Sequence, residues 1–270
     1  MAAEEVLYTW EDGVGVITLN RPEKLNALTP GIRDGMLRYV KEADEDPEIR
    51  AVVLTGNGRG FCSGGDVPNF PTGEEGKAAR VARANEPPRP LQETNYAYNM
   101  RNSKKLIVGA INGYAVGAGF GLALACDIRI AAEGARFAVF QVRRGIQPDG
   151  GLTYLLPRTV GTQKAFELAV RGAKGEFVEA EEALQLGLVA KVVPLEALMD
   201  EAMDLARSIA KGPPIAFGLA KRGFYRGMEW TFEEGARSES EGVGVCFATE
   251  DAEEGVRAFV ERREPVFVGR

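Results

Sequence analysis

An uncharged stretch ends at Asp127 and spans residues 106–127, Leu-Ile-Val-Gly-Ala-Ile-Asn-Gly-Tyr-Ala-Val-Gly-Ala-Gly-Phe-Gly-Leu-Ala-Leu-Ala-Cys-Asp. An apolar run of this length has to be buried, either in a membrane or in the core of a folded domain. The same run carries glycines at positions 109, 113, 117, 119 and 121. It therefore has three competing interpretations.

A transmembrane helix is the first, since about 20 apolar residues span a bilayer and regularly spaced small residues favour helix pairing. However, Asn112-Gly113 is a turn dipeptide, and each glycine inside a helix costs about 1 kcal/mol. The second is a dinucleotide-binding turn, because Gly117-Ala118-Gly119 follows an apolar strand. That motif needs a small residue at position 122, which is leucine here.

The third interpretation is a buried strand over residues 106–111, a turn over 112–116 and a short helix from about Gly117 to Cys126. The first N–H groups of a helix have no partner within it, so they can receive an oxygen that is gaining negative charge. Glycine and alanine at positions 117–119 keep side chains away from such an oxygen. This interpretation predicts one half of an oxyanion hole, a pair of N–H donors that holds a developing oxyanion.

Composition excludes several classes of function. With 45% hydrophobic and 27% charged residues, the chain has the composition of a soluble globular protein, for which no membrane segment is expected. A net charge of -6 argues against nucleic acid as the main partner. The chain contains no histidine, which excludes a Ser-His-Asp triad, a Cys-His pair and an imidazole metal site. Acid and base chemistry therefore has to come from another side chain or from the substrate.

Three widely spaced cysteines, at positions 62, 126 and 246, indicate free thiols in a reducing compartment. The acidic N-terminus lacks the apolar segment of a signal peptide. We therefore expect a cytoplasmic protein.

Along the chain, apolar runs predict strands over residues 14–20, 50–55, 127–132, 135–140 and 190–193. Thr29-Pro30 is typical of a helix start and predicts a helix to about residue 44. Residues 67–103 are the least regular part and are expected to form a lid, a binding segment or a locally disordered segment, with a helix over 95–102 that leads into the central strand. Helices are predicted over 214–227, 231–248 and 251–263, which suggests a helical second module.

Two segments carry a resemblance to a known family. Residues 61–67, Phe-Cys-Ser-Gly-Gly-Asp-Val, and residues 111–119, followed by Cys126-Asp127, resemble the signature segments of the crotonase or enoyl-CoA hydratase/isomerase superfamily. The resemblance extends over nearly the whole chain, from residues 19–22 to residues 265–267. It implies an α/β fold, with a crotonase spiral of β-β-α turns at residues 1–200 and a helical region for trimerisation at 201–270. The implied assembly is a homotrimer or a dimer of trimers.

The resemblance also implies a substrate and a site. The substrate is an acyl-CoA thioester whose carbonyl oxygen lies between the N–H groups of Gly65 and Ala118. Coenzyme A is part of this substrate, so no separate cofactor and no metal are implied. The residues implied to bind the substrate are Lys24, Ala27, Leu28, Cys62, Ser63, Gly64, Asp66, Gly117 and, at a neighbouring subunit's site, Phe267. The alternative for Lys24 is a solvated charge on a loop. The alternative for Phe267 is a place in a frayed C-terminal tail.

The sequence departs from the hydratases of this family at two catalytic positions. Hydratases use two glutamates, and the matching positions here are Gly121 and Gln141, neither of which exchanges a proton at neutral pH. Asp149, in Gln147-Pro148-Asp149-Gly150-Gly151, instead resembles the single acid of the double-bond isomerases in the superfamily. Its alternative role is a helix cap.

We therefore expect an acyl-CoA isomerase in which Asp149 is the acid/base and Gln141 positions the substrate. Hydration or thioester hydrolysis on the same scaffold remains an alternative, as does a CoA-ester binding protein without turnover. Cys62 is not expected to act as a nucleophile, because no histidine can activate it.

Overall fold

The computed structural model of the chain describes residues 4–70, 72–87 and 89–270. Six strands form the larger sheet in the order β1-β2-β3-β5-β7-β10, which is parallel except for the antiparallel pair β1 and β2. Four strands form the smaller sheet in the order β4-β6-β8-β9. The strands are β1 (Val6–Glu11), β2 (Val14–Leu19), β3 (Ala51–Gly56), β4 (Gly60–Cys62), β5 (Leu106–Ile111), β6 (Tyr114–Val116), β7 (Ile128–Ala132), β8 (Arg136–Ala138), β9 (Val178–Glu179) and β10 (Lys191–Val193).

Helices connect the strands and form most of the C-terminal region. They are α1 (Pro30–Glu45), α2 (Gly73–Ala84), α3 (Leu91–Thr94), α4 (Tyr96–Asn102), α5 (Ala118–Leu124), α6 (Leu152–Val160), α7 (Thr162–Lys174), α8 (Ala180–Gln185), α9 (Leu198–Lys211), α10 (Pro214–Gly227), α11 (Phe232–Phe247) and α12 (Glu250–Glu261). As predicted, Thr29 caps α1, accepting a hydrogen bond from the N–H of Ile32. Within residues 67–103, α4 confirms the helix predicted over 95–102, whereas α2 and α3 make the rest of the segment more regular than expected.

The N-terminal strand β1 was not predicted, although the sequence contains a signal for it. Asp12-Gly13 is a dipeptide favoured in two-residue hairpin loops, and both residues have positive φ, 49° and 76°. The hairpin pairs Val6 with Leu19 and Glu11 with Val14.

The uncharged stretch follows the strand, turn and helix interpretation, with one difference. Residues 106–111 form β5 and α5 begins at Ala118, but residues 114–116, predicted as part of the turn, form strand β6 in the second sheet. Of the helices in the described ranges, none combines the length and the apolarity that a membrane crossing requires.

The central strands β3 and β5 of the larger sheet are buried on both faces, which explains their almost continuous apolar sequences. In β3, Ala51 and Val53 pack in a cluster with α9, whereas Val52 and Leu54 face the main core on the other side. This alternation follows from the two-residue period of a strand. The predicted boundary at residue 200 falls inside α9, and the division into two domains stays a prediction.

A buried ion pair connects the C-terminal helices to the end of the uncharged stretch. The Lys221 ammonium, on α10, lies 2.8 Å from a carboxylate oxygen of Asp127, and their side chains are 1% and 8% exposed. Asp127 also accepts hydrogen bonds from the Ile107 N–H and the Tyr225 hydroxyl. Lys221 donates in addition to the carbonyl oxygen of Met100. Every charge in the pair is therefore compensated.

Replacing Lys221 with methionine is expected to lower the free energy of unfolding by about 3 to 5 kcal/mol, because the Asp127 carboxylate is left buried without its cation. Urea unfolding at a fixed protein concentration measures the change. The matched control is Lys164→Met, which removes an exposed pair with Glu167 and is expected to cost less than about 1 kcal/mol. Equal stabilities of the two variants would contradict this role of Lys221.

Candidate active site

Two loops pair at the start of the site. The N–H of Leu28 donates to the carbonyl oxygen of Gly64 at 2.7 Å, and Leu28 forms an isolated parallel bridge with Gly65. The N–H of Ser63 donates to the carbonyl oxygen of Leu25 at 2.9 Å. Pairing through the backbone fixes the course of both loops. The predicted substrate-binding residues brought together here are Ala27, Leu28, Cys62, Ser63, Gly64 and Asp66.

Asn26 and Arg21 hold these loops in place, and sequence analysis missed both. Asn26 is fully buried with a φ of 55°, and its amide donates to the carbonyl oxygens of Asn57 and Gly60. A guanidinium nitrogen of Arg21 lies 3.2 Å from a carboxylate oxygen of Asp66. The available signal for Asn26 is weak, namely that asparagine tolerates positive φ better than other side chains.

The glycine-rich loop before Asp66 packs directly on the start of α5. A Cβ atom built on Gly64 would lie 2.6 Å from the carbonyl oxygen of Val116 and 3.3 Å from the amide nitrogen of Ala118. A Cβ atom built on Gly119 would collide with the carbonyl oxygen of Cys62. Glycine is required at both positions because main-chain atoms occupy the space of a side chain. Two segments about 50 residues apart thus meet through their backbones.

The amide groups predicted to hold the oxyanion lie next to this contact. Among the described residues, neither the Gly65 N–H nor the Ala118 N–H donates a hydrogen bond to another group, whereas the Gly117 N–H donates to the carbonyl oxygen of Ala138 at 2.9 Å. Gly117 has a φ of 59°, and the Gln141 side chain packs over it. Both predicted donors are therefore available to an oxygen atom of a ligand.

Asp149 lies beside these donors, on the loop that precedes α6. The side-chain N–H of Gln141, a residue 8% exposed, donates to a carboxylate oxygen of Asp149 at 3.1 Å. An ionised carboxylate only accepts hydrogen bonds, so the amide turns its NH₂ group toward it. The cap residue of α6 is Gly151, and no side chain caps that helix. Asp149 therefore does not cap α6, in contrast to the alternative role considered from the sequence.

The loop with Asp149 occupies the space beside Gly121. A Cβ atom built on Gly121 would collide with the carbonyl oxygen of Gly150 and would lie 3.3 Å from that of Asp149. A Cβ atom built on Gly150 would lie 3.0 Å from the Cα of Ala118. Because position 121 has no side chain, the loop can approach α5 closely. The absence of a side chain at position 121 thus allows the loop with Asp149 to pack in this position.

Comparison with known proteins identifies the family. The family model described as "Enoyl-CoA hydratase/isomerase" matches residues 9–270. The chain is 36% identical to "Enoyl-CoA hydratase, mitochondrial" of Pongo abelii, over 94% of this chain and 83% of that protein. It is 38% identical to "(E)-benzylidenesuccinyl-CoA hydratase" of Thauera aromatica, over 95% and 96%. The crystal structure of an enoyl-CoA hydratase from Bacillus anthracis superposes with a TM-score of 0.87, at 31% identity, over 98% of this chain and 100% of that one.

The chain belongs to the enoyl-CoA hydratase/isomerase family. The predicted fold class, an α/β protein of the crotonase type with C-terminal helices, is confirmed.

Two residues implied by the family resemblance lie outside the cluster around Ala118. The Lys24 side chain is exposed, and only its carbonyl oxygen contacts the glycine-rich loop, where it accepts from the Ser63 hydroxyl at 3.3 Å. Phe267 lies near Gly255, and its carbonyl oxygen accepts from Arg50 at 2.8 Å. Both assignments stay predictions.

The C-terminal tail is not frayed, in contrast to the alternative considered for Phe267. Asp251 accepts hydrogen bonds from the N–H groups of Val268 and Gly269, and Glu254 accepts from that of Val266. The tail is therefore tied to α12 by buried carboxylates, a contact between segments that local sequence patterns do not reveal.

Cys62 contributes its backbone to the site but not a reactive thiol. Its side chain is fully buried, and burial raises the pKa of the thiol to about 12. Burial disfavours the charged thiolate, the form that acts as a nucleophile. This agrees with the expectation that Cys62 is not a nucleophile.

Substituting Gly121 with alanine is expected to lower the free energy of unfolding by about 1 to 3 kcal/mol, because the new methyl group has to displace the Gly150 carbonyl. The control is Gly235→Ala in α11, where no heavy atom lies within 4 Å of the new Cβ. This change is expected to raise the free energy of unfolding by about 0.5 to 1 kcal/mol. Urea unfolding measures both, and a Gly121→Ala protein as stable as the parent would contradict the close packing.

In the folded protein, Cys62 and Cys126 are expected to resist alkylation by iodoacetamide at pH 8, because burial raises the pKa of each thiol to about 12. At that pH only about one thiol in 10⁴ would be ionised. Mass spectrometry after labelling with and without guanidinium measures the outcome. Labelling of Cys62 in the native protein at the rate seen in denaturant would refute this environment.

Proposed function

We propose that the protein is an acyl-CoA isomerase that moves a carbon–carbon double bond through a thioester enolate. The observation that carries this proposal is the single carboxylate of Asp149, on a loop that packs against Ala118, whose N–H has no acceptor among the described residues. Neither Gly121 nor Gln141 supplies a second proton-exchanging group. Isomerisation needs only one such group, because the proton removed from one carbon is returned to another.

In the proposed cycle, the thioester oxygen of a 3-enoyl-CoA lies between the N–H groups of Gly65 and Ala118. The Asp149 carboxylate takes a proton from C2, and the electron pair of the C2–H bond moves toward the thioester oxygen. The same proton is then returned to C4, and the double bond is re-formed between C2 and C3. A donor at an oxyanion hole is typically worth about 3 to 4 kcal/mol of transition-state stabilisation.

Gln141 is proposed to aim the catalytic carboxylate. Its NH₂ group donates to Asp149, while its carbonyl oxygen is buried without a hydrogen-bond partner in the described part of the chain. An unpaired buried oxygen is costly, so a donor on the substrate or a water molecule is expected to satisfy it. This supports a role for Gln141 in positioning the substrate.

Hydration is the second candidate, because the relatives are named as hydratases. Hydration adds water across the double bond, and by family resemblance it uses two glutamates that this chain lacks at Gly121 and Gln141. Thioester hydrolysis on the same scaffold and binding without turnover are further outcomes of the test below. The site favours isomerisation because it contains one acid/base group instead of two.

Binding of the whole substrate and assembly of subunits are part of this proposal. Lys24 is proposed to contact a phosphate of coenzyme A, and the proposed reaction uses no separate cofactor. A homotrimer or a dimer of trimers is supported by large apolar side chains exposed on the C-terminal helices, where Phe267 would approach a neighbouring subunit's site. The most exposed of these are Phe224, Phe232, Phe247, Phe259 and Val260, at 78%, 91%, 74%, 85% and 75%. Three free cysteines favour a reducing compartment such as the cytoplasm.

Asp149→Asn is expected to lower the rate of conversion of 3-enoyl-CoA to 2-enoyl-CoA by at least about 100-fold, because an amide cannot accept the C2 proton. Binding of acyl-CoA, measured by calorimetry, is expected to stay within about threefold. The matched control Asp200→Asn, on the exposed face of α9, is expected to retain the parental rate.

Full activity in Asp149→Asn would rule out the acid/base assignment. If the parental protein hydrates 2-enoyl-CoA instead, or releases free coenzyme A, the second candidate or hydrolysis replaces isomerisation. Binding with no conversion of either substrate would indicate a CoA-ester binding protein.

A further inference from the structure

Tyr96 places a hydroxyl group between the oxyanion donor and the loop with Asp149. It is the first residue of α4 and only 6% exposed. Its hydroxyl lies 3.4 Å from the carbonyl oxygen of Ala118, to which it donates a long hydrogen bond. A Cβ atom built on Gly150 would lie 3.0 Å from the same hydroxyl. One buried group thus contacts both halves of the site.

The Tyr96 hydroxyl acts as a donor and not as a base. Burial raises the pKa of Tyr96 well above its usual range, and the nearby Cys62 and Asp149 raise it further. The hydroxyl therefore keeps its proton at any pH at which the protein is folded. Since the carbonyl oxygen of Ala118 only accepts, the direction of the hydrogen bond is settled.

Helix α4 is anchored at its other end, so the Tyr96 hydroxyl cannot easily move away from the site. Arg101 donates to the Tyr154 hydroxyl and to the carbonyl oxygen of Tyr225, both at 2.8 Å. It also forms an ion pair with Glu229 at 2.8 Å. Tyr154 belongs to α6, the helix that follows the loop with Asp149. Tyr96, at one end of α4, therefore contacts the loop with Asp149, and Arg101, near the other end, contacts the helix that follows this loop.

We propose that Tyr96 is a positioning residue that sets the separation between the Ala118 N–H and the Asp149 carboxylate. This inference rests on the proposed oxyanion hole. Residue 118 is held on one side by the glycine-rich loop at Gly64 and on the other by the Tyr96 hydroxyl. Without the hydroxyl, Ala118 and Gly150 can shift relative to each other, and the amide is no longer aimed at the thioester oxygen.

The test replaces Tyr96 with phenylalanine, which keeps the ring and removes only the hydroxyl. The matched control is Tyr98→Phe on the same helix, whose hydroxyl accepts an exposed 3.4 Å hydrogen bond from Gln92 and no other from the described residues. The first measurement is the absorbance shift of a bound acyl-CoA that carries a chromophore conjugated to the thioester carbonyl. That shift reports how strongly the amide donors polarise the carbonyl, and it does not require turnover.

In Tyr96→Phe the red shift of the bound chromophore is expected to be smaller than in the parental protein and in Tyr98→Phe. The second measurement is isomerisation of 3-enoyl-CoA, for which kcat is expected to fall about threefold to fivefold with KM nearly unchanged. A purely structural role would lower thermal stability without changing the spectrum of the bound ligand.

A red shift equal to that of the parental protein in Tyr96→Phe overturns the inference. So does a parental protein that binds the chromophoric acyl-CoA without any red shift, since the oxyanion hole is then absent. A parental protein that shows the red shift but moves no double bond refutes the isomerase function alone. In that case a reduced shift in Tyr96→Phe still supports the positioning role.

Discussion

Main-chain atoms of residues 62–65 and 116–119 lie in direct contact, and the geometry of the site depends on this contact. Side chains at Gly64 or Gly119 would push the two segments apart, since carbonyl oxygens fill the positions that Cβ atoms would take. Backbone donors are fixed by the fold and need no side-chain ordering when a ligand arrives. The same contact brings Gly64 close to the amide nitrogen of Ala118, and neither the Gly65 N–H nor the Ala118 N–H donates to an acceptor among the described residues.

The surrounding scaffold makes this contact rigid. Strands β3 and β5 are buried on both faces, and the chain leaves them toward the two segments that meet. Asn26 secures the loop on one side through hydrogen bonds to main-chain carbonyls. On the other side, Asp127 follows α5 and is held by Lys221 from the C-terminal helices. Polar groups that are buried and fully paired define a single arrangement more sharply than apolar packing does.

The loop that carries Asp149 approaches α5 closely. Glycine at position 121 leaves room for the backbone of Asp149 and Gly150, and the carboxylate is oriented by Gln141. A larger residue at position 121 would leave no room for the loop in this position. Family membership alone does not specify the reaction, because one fold supports different chemistries through different side chains at the site.

Local patterns along the chain are sufficient to predict the strands of the larger sheet other than β1, the capped start of α1, the C-terminal helices and the glycine-rich segments that carry the family resemblance. These features depend on residues a few positions apart, whose periodicity and turn chemistry are visible in the sequence. The sequence also limits the chemistry, since a chain without histidine needs another acid/base group. The placement of Tyr96, the role of Asn26, the ordered tail and the absence of a cap at Asp149 depend on the tertiary structure. Each of these is set by contacts between segments distant in sequence, and such contacts leave no local pattern to read.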